Sequence, residues 1–289
     1  TYTMVWDKNA KESNYTITEE SIGTLTVSES EDEIIVTTTG GTFTYDGKEH
    51  TATVRVSELP KGYRLIKAES TAKAKDVTEE AGITATADQL EIQNASGKDV
   101  TSELKITYKN DTIKIVPATV KVITESAGKV YDGTPLTAPG KIDGLVDGEE
   151  VSFTVTGSQT EVGSSPNSYT LKWDKTAKES NYRKEADDLG TLTVTAQSIV
   201  PDPDNPESYK GVVINDPVDV PYDGQEHKWS PTVTDKENNP LTVGTDYTVG
   251  YDKEDFTNVT GEITVTITGI GNYTGTVTKT YQITPAPIK

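Results

Sequence analysis

Residues 173–194 read WDKTAKESNYRKEADDLGTLTV, and residues 6–27 read WDKNAKESNYTITEESIGTLTV, with 14 of the 22 positions identical and no gap. Identity of this kind, without insertion or deletion, marks an internal repeat. Since the two copies lie far apart in a chain of 289 residues, we expect several similar modules, each with its own small core, rather than one large domain.

The tripeptide Tyr-Asp-Gly (YDG) gives the length of the repeating unit. It begins at Tyr45, Tyr131 and Tyr222, so the spacings are 86 and 91 residues, the size of one β-sandwich module. Asp-Gly adopts the positive φ values that a tight hairpin needs. We therefore expect each unit to open on a strand and a YDG hairpin turn, to pass an Asn-Tyr or similar element, and to close on a Thr-rich strand.

These two landmarks predict where the modules begin and end. Because no YDG precedes residues 6–27, we expect residues 1–30 to be the C-terminal part of a truncated repeat. Complete Ig-like repeats are then expected at residues 31–117, 118–198 and 209–289. Residues 199–208 (IVPDPDNPES) contain three prolines, which restrict φ and predict a stiff, extended linker between the last two repeats.

Alternation of apolar and polar residues predicts strands throughout these units. The clearest cases are residues 119–124 (TVKVIT), 151–155 (VSFTV) and 262–268 (EITVTIT), and the closing strands are expected at 111–116, 190–194 and 276–284. Only residues 73–80 and 176–182 suit a single helical turn. The fold class expected is all-β, with tandem Ig-like β-sandwich modules arranged end to end, and β-grasp-like modules are the alternative.

Composition restricts the partners. A net charge of -19 opposes binding to nucleic acid phosphates and anionic membranes, which need a cationic surface. The chain has no Cys, so disulfides and Cys-based metal sites are excluded. The sequence also lacks an apolar run of the ~20 residues that span a bilayer, so no membrane insertion is expected.

Four segments together span a whole unit: residues 130–138 (VYDGTPLTA), 144–150 (GLVDGEE), 156–165 (TGSQTEVGSS) and 177–194, with more divergent copies at 99–101, 108–115 and 269–283. These segments resemble the YDG-type Ig-like tandem repeats of large Firmicutes surface proteins. The resemblance implies an extracellular protein of a Gram-positive bacterium, at the cell surface or attached to the cell wall, with an adhesive or spacing role and with neighbouring repeats as its partners. It names no ligand.

The sequence offers no catalytic constellation, and we expect that the chain is not an enzyme. Its two histidines, His50 and His227, follow YDG at the same repeat position, where the middle repeat has Leu136; this indicates a packing role at the start of a strand. A zinc site takes three or four ligands, and a Ser nucleophile takes a positioned base. One histidine per module meets neither requirement.

Calcium is the one cofactor that the sequence suggests, because hard cations bind carboxylate and carbonyl oxygens of acidic loops. The candidate ligands Asp202, Asp204, Asn205 and Glu207 lie in the predicted linker. A second acidic loop, residues 252–255, is typical of a solvated hairpin. The resemblance to Cys-free wall proteins also leaves open an intramolecular amide between a Lys and an Asn or Asp, for which the sequence singles out no residues.

The leading functional hypothesis is a structural stalk or spacer that projects a functional domain from the cell. The alternative is an adhesive module that binds a host glycan or protein through exposed loops, and Trp229, just after the third YDG, is then the candidate contact. Trp in a sandwich is more often a core residue. An accessory module of a secreted carbohydrate-active enzyme is a third hypothesis.

Overall fold

A computed structural model describes residues 3–6, 10–18, 23–24, 33–201, 212–235 and 237–288. These residues form 26 strands and three short 3-10 helices, at Glu12–Asn14, Thr101–Glu103 and Glu179–Asn181. The all-β class expected from the sequence is confirmed. The β-grasp alternative gains no support, since the described ranges contain no α-helix.

The strands are short, as expected for Thr-rich segments divided by glycine turns. The first ten are β1 (Ile34–Thr39), β2 (Gly41–Thr44), β3 (His50–Thr51), β4 (Thr53–Val56), β5 (Arg64–Glu69), β6 (Lys73–Ala74), β7 (Ile83–Ala85), β8 (Gln89–Gln93), β9 (Ile106–Lys109) and β10 (Asp111–Val116). The next nine are β11 (Ala118–Thr124), β12 (Ala127–Val130), β13 (Gly140–Asp143), β14 (Ser152–Val155), β15 (Gly163–Pro166), β16 (Tyr169–Lys172), β17 (Tyr182–Lys184), β18 (Thr191–Thr195) and β19 (Gln197–Ser198). The last seven are β20 (Val213–Ile214), β21 (Val220–Pro221), β22 (Val233–Thr234), β23 (Tyr247–Tyr251), β24 (Glu262–Gly269), β25 (Tyr273–Thr274) and β26 (Thr276–Thr284).

The chain divides into two compact units. Unit 1 comprises Thr1–Gly40, Ala52–Ala72 and Thr84–Asp111, and unit 2 comprises Gly41–Thr51, Lys73–Ile83 and Thr112–Lys289. The predicted repeat 31–117 therefore contributes strands to both units. The predicted repeats 118–198 and 209–289 both lie in unit 2.

Unit 1 contains one three-stranded and one two-stranded sheet. In the first, β1 pairs with β4 antiparallel and with β9 in parallel, and in the second β5 pairs with β8 antiparallel. Alternate β1 residues Ile34 and Val36 are buried with Ala87 and Ile92. The alternation in β1 thus places one apolar face in the core, as the period-2 pattern of a strand requires.

Unit 2 is built around long strands with strict alternation. In β11, Val120 and Val122 are buried on one face, and the strand pairs with β13 antiparallel and with β17 in parallel. The closing strand β18 lies between β12 and β15. Farther along, β24 buries Ile263, Val265 and Ile267 and lies between β23 and β26. The three alternating segments and three closing strands predicted from the sequence all form strands.

The YDG turns differ from the hairpins expected. The glycine of each turn has positive φ, +74° at Gly47, +74° at Gly133 and +82° at Gly224, as predicted. However, β2 before the first turn pairs with β10, whereas β3 after it pairs with β6. The turn moves the chain from one strand pair to another because its flanking strands have different partners. Of the two predicted helical turns, 176–182 forms one, whereas 73–80 begins with β6.

The predicted linker also needs a correction at its first residue. Ile199 is fully buried in one cluster with Val212, Val233 and Ile267, because the parallel pairing of β19 with β25 carries the chain into that core. An apolar β-branched side chain at this position is a core residue rather than part of a spacer. Most of the linker, residues 202–208, lies outside the described residues.

Candidate functional site

In the described part of the chain, no group of three or more His, Asp or Glu side chains is placed to hold a metal ion. The calcium ligands predicted from the sequence, Asp202, Asp204, Asn205 and Glu207, lie outside the described residues, so that site stays a prediction. No helix among the described residues combines the length and apolar character needed to cross a bilayer.

Both histidines contact the aspartate of their own YDG turn. Nε2 of His50 lies 3.0 Å from Oδ1 of Asp46, and Nε2 of His227 lies 2.7 Å from Oδ1 of Asp223. Backbone hydrogen bonds inside the turns, then the histidines, lower the pKa of both aspartates. The ring of His50, the first residue of β3, also stacks on Phe43 with centroids 4.0 Å apart.

The middle repeat, which has Leu136 at the histidine position, uses a lysine in the same role. Nζ of Lys129 lies 2.6 Å from Oδ1 of Asp132, and this hydrogen bond is the main cause of a strongly lowered Asp132 pKa. Each YDG aspartate organises its own turn by accepting a hydrogen bond from the peptide N–H two residues later, and it also contacts a neighbouring basic side chain. This arrangement is structural in all three repeats.

Trp229 is half-buried. Its ring packs against two core clusters, one around Ile267 and one around Ile263. Its peptide N–H donates to the Tyr281 hydroxyl (3.2 Å), and its carbonyl accepts from the Tyr251 hydroxyl (2.7 Å). These contacts are those of a core residue, and the ligand-binding role of Trp229 stays a prediction.

The contact that recurs along the chain is made instead by the tyrosines of the YDG and Asn-Tyr elements. In unit 2, the ring of Tyr45 from the first predicted repeat lies edge-on to the ring of Tyr182 from the second, with centroids 5.5 Å apart. Both hydroxyls donate to the carboxylate of Glu149, that of Tyr182 at 2.5 Å. Trp173 also stacks on Tyr182, with ring centroids 5.2 Å apart. Tyr45 and Tyr182 are only 4% and 8% exposed.

The side chain of Asn181 makes two hydrogen bonds beside these rings. Its Oδ1 accepts from the peptide N–H of Val77 at 2.9 Å, and its Nδ2 donates to Oδ1 of Asp76 at 2.8 Å. Nζ of Lys178 donates to the other Asp76 oxygen at 2.6 Å. These hydrogen bonds lower the pKa of Asp76, with the largest effect from Lys178. We call this set the Tyr45 junction: Tyr45, Asp76 and Val77 on one side, and Glu149, Asn181 and Tyr182 on the other.

A similar ring pair and a similar asparagine contact occur between the second and third predicted repeats. Tyr131 lies edge-on to Tyr273, with centroids 5.7 Å apart. Asn272 accepts from the peptide N–H of Val162 at 3.0 Å and donates through Nδ2 to the Glu161 carboxylate. We call this set of five residues the Tyr131 junction. Tyr45 and Tyr131 thus each contact the tyrosine of an Asn-Tyr pair in the following predicted repeat. The Asn of each pair donates to an acidic side chain and accepts from the peptide N–H of the next residue.

The junction tyrosines are held in the neutral form. Burial, followed by the hydrogen bond to Glu149, raises the pKa of Tyr45 to about 12, and the same causes raise the pKa of Tyr182 further. At the other junction, burial raises the pKa of Tyr273 to about 12 and raises that of Tyr131. Neutral hydroxyls donate to the carboxylate, whereas a phenolate beside Glu149 would be repelled by it.

The sequence marks these junctions by a recurring pair of residues. The Asn-Tyr pair occurs at residues 14–15, 181–182 and 272–273, and we predicted it as a landmark without assigning it a role. The peptide N–H groups that donate to Asn181 and Asn272 lie more than 100 residues earlier in the chain. The amide crosslink considered from the sequence stays a prediction without assigned residues; Asn181 and the buried Asn167 are held by Asp76 and by backbone groups.

Among solved structures, the chain is similar to three multi-domain proteins at low identity. Protocadherin gamma B2 extracellular cadherin domains 3–6 give 13% identity over 89% of this chain and 72% of that one, with a TM-score of 0.22. The three N-terminal domains of the bacteriophage RB49 Hoc protein give 12% identity over 88% of this chain and 99% of that one, with a TM-score of 0.25. Drosophila N-cadherin EC1–4 gives 11% identity over 90% of this chain and 74% of that one, with a TM-score of 0.21. Scores this low support no argument about this chain.

No curated protein matches the chain. Residues 121–261 match a family model described as FctA, a Spy0128-like isopeptide containing domain. The match covers 141 of the 289 residues, starting in β11 and ending just before β24. It does not distinguish the YDG type of repeat. The match supports a structural, Ig-like module of a Gram-positive surface protein.

Proposed function

We propose that this chain is a structural stalk of a Gram-positive cell-surface protein, exported and attached to the cell wall, that holds a functional domain away from the cell. Its partners are neighbouring repeats of the same chain, and the proposal assigns it no catalytic step. The observation that carries the proposal is a contact that occurs twice, at Tyr45 and at Tyr131: an edge-on tyrosine pair beside an Asn that bonds an acidic side chain and the next peptide N–H.

Each junction restrains the geometry between two predicted repeats. An edge-on aromatic pair restricts the distance and tilt between two rings, and such pairs contribute about 0.5–1.5 kcal/mol beyond their buried area. An amide that donates and accepts at once also fixes the rotation about that contact. Because each repeat is bound to its neighbour by the same set, a spacer grows by adding repeats without a new folding problem.

The charge supports the same proposal. A net charge of -19 gives mutual repulsion along the chain, which opposes collapse of repeats onto one another and keeps the protein soluble. Three acidic side chains at the junctions, Asp76, Glu149 and Glu161, accept hydrogen bonds there.

Small-angle scattering tests the stalk. A compact 289-residue globule has a radius of gyration of about 19 Å, whereas three modules of about 40 Å set end to end give about 35 Å. We expect a value near the larger figure, and a value near the smaller one overturns the stalk. Repeating the measurement in EDTA and in calcium tests the predicted cation site: a longer, better-defined particle in calcium supports ligation by Asp202, Asp204, Asn205 and Glu207.

A further inference from the structure

The first and last strands of the middle predicted repeat run side by side in the same direction. β11 pairs with β17 in parallel, an isolated parallel bridge follows, and β12 then pairs with β18 in parallel. The last peptide hydrogen bond of this line joins the Tyr131 N–H to the Thr195 carbonyl at 2.8 Å. We call residues 118–131 and 182–195 the terminal strand pair.

Side chains continue the hydrogen bonding where the chain leaves the sheet of β11 and enters the sheet of β12. The Gly190 N–H donates to Thr124 Oγ1 at 3.0 Å, and this hydroxyl donates to the Asn167 carbonyl at 2.8 Å. Two residues later, the Thr191 N–H donates to Ser126 Oγ at 2.9 Å. Thr124 and Asn167 are only 5% and 0% exposed, so water does not weaken the bond between them.

Chain connectivity determines how tension acts on this pair. The preceding repeat joins the start of β11, and the chain continues to the following repeat from the end of β18. Tension along the chain therefore pulls the two strands in opposite directions along their length, which is shear. Because the hydrogen bonds of the ladder connect one strand to the other, shear loads all of them together, whereas a pull across the strands breaks them one at a time.

We infer that the terminal strand pair bears tension transmitted along the chain, and that the side chains of Thr124 and Ser126 keep it continuous at the change of sheet. The inference goes beyond the stalk, since a spacer need not carry tension. It does not rest on the stalk either, because the pair lies within one repeat. Resistance to force is governed by the rate of unfolding rather than by the free energy of unfolding, so it is a property separate from stability.

Parallel pairing of the first and last strands occurs in the other two repeats as well. In the first, β1 pairs with β9 and β2 with β10, and in the third, β19 pairs with β25 and β21 with β26. The YDG tyrosine ends the line each time, since the N–H of Tyr45 donates to Val116 and that of Tyr222 to Thr284, both at 2.8 Å. Each repeat is therefore built to be loaded in shear.

Single-molecule pulling of the full chain in two directions tests the inference. The chain has no Cys, so handles attach only to introduced cysteines. Thr119→Cys with Pro201→Cys pulls the terminal strand pair in shear. Thr134→Cys with Pro201→Cys pulls on the same end of both strands and peels them apart. Because both proteins share the handle at Pro201, any contribution of the third repeat is common to the two.

We expect a several-fold higher unfolding force in shear than in peeling. Stretched lengths between the handles of about 290 Å in shear and about 230 Å in peeling identify complete unfolding of the segment. Similar forces in the two directions overturn the inference. The comparison leaves the terminal strand pair almost unaltered and so does not depend on a variant that must fold without its buried hydrogen bonds.

Thr124→Val tests the side chains at the change of sheet. At constant force in shear it should unfold about tenfold faster, because two hydrogen bonds of the hydroxyl are lost. The control is Phe153→Ala on β14, whose ring contacts Tyr169 on β16 at 5.7 Å, outside the pair. It should lower the free energy of unfolding in urea without faster unfolding in shear.

An unchanged rate in T124V overturns the role given to that hydroxyl, as does an equal acceleration in F153A. Scattering of the unloaded chain tests the stalk, so failure of either idea leaves the other standing.

Discussion

The rings of Tyr45 and Tyr182 meet edge-on, 5.5 Å apart, although 137 residues separate them in the sequence, and both hydroxyls donate to one carboxylate, that of Glu149. The relationship connects two elements that the sequence marks as repeat landmarks, YDG and Asn-Tyr. The edge-on ring pair recurs at Tyr131 and Tyr273, so both pairs of landmarks lie at contacts between successive predicted repeats.

Asn181→Ala should destabilise the Tyr45 junction by about 1–3 kcal/mol, because it leaves the Val77 N–H and the Asp76 carboxylate without their amide partner. Asn272→Ala should cost less, since its contacts are more exposed. Urea unfolding, with hydrogen exchange at Val77, measures both. N14A provides the matched control and should unfold like wild type. A loss in N181A no larger than that in N14A would contradict the assigned role.

Alkaline pH should loosen the same junction. Since the folded pKa of Tyr45 is raised from 10.0 to about 12, the stabilisation is complete below pH 10 and is lost as the pH rises through about 12. Absorbance of the phenolate should show tyrosines that ionise late. In E149Q these should ionise earlier, though still above pH 10, because burial remains the larger cause. Identical titration curves for E149Q and wild type would show that Glu149 does not contact these hydroxyls.

Trp229→Ala separates packing from ligand binding. Because the ring lies between two core clusters, its removal should cost about 3 kcal/mol of stability and lower the melting temperature. The exposed Y222A serves as control and should melt like wild type. Unchanged melting of W229A together with lost binding to a glycan array would favour the adhesive alternative.

Glycine 190 opens the GTLTV segment and admits no side chain. A Cβ there would lie 2.1 Å from the Glu125 carbonyl carbon, whereas one at Gly128 would meet its nearest atom at an ordinary 3.6 Å. Gly190→Ala should therefore destabilise by several kcal/mol through displaced backbone, and Gly128→Ala should be nearly neutral. Thermal melts of the two variants check this, and equal melting temperatures would refute the steric argument.

The fold was predictable where the pattern is local. Alternation predicted β11, β14 and β24, and Asp-Gly predicted the positive φ of the three turns, because both depend only on neighbouring residues. The pairing of β2 with β10 and of β3 with β6 was not predictable, since strand partners are chosen by packing of distant segments. For this reason the YDG turn was wrongly predicted as a hairpin.

The junctions were predictable only as recurring sequence elements, YDG and Asn-Tyr, without their contacts. The Asn-Tyr pair stands out by repetition, but nothing near Asn181 in sequence indicates that it grips Asp76 and Val77, over 100 residues away. Trp229 and the acidic linker were predicted as binding sites from their residue types alone. Ile199 shows the same limit, since its proline-rich surroundings masked a core position.

Spin-label distances across the Tyr131 junction test the central claim, that Asn-Tyr elements fix one repeat against the next. The chain has no Cys, so cysteines placed at the exposed residues Lys141 and Thr278 label one site in each of two predicted repeats. We predict a single narrow distance distribution in the otherwise wild-type chain and a clearly broader one when Asn272→Ala is added. A distribution that is broad in both proteins, or equally narrow in both, would contradict the claim.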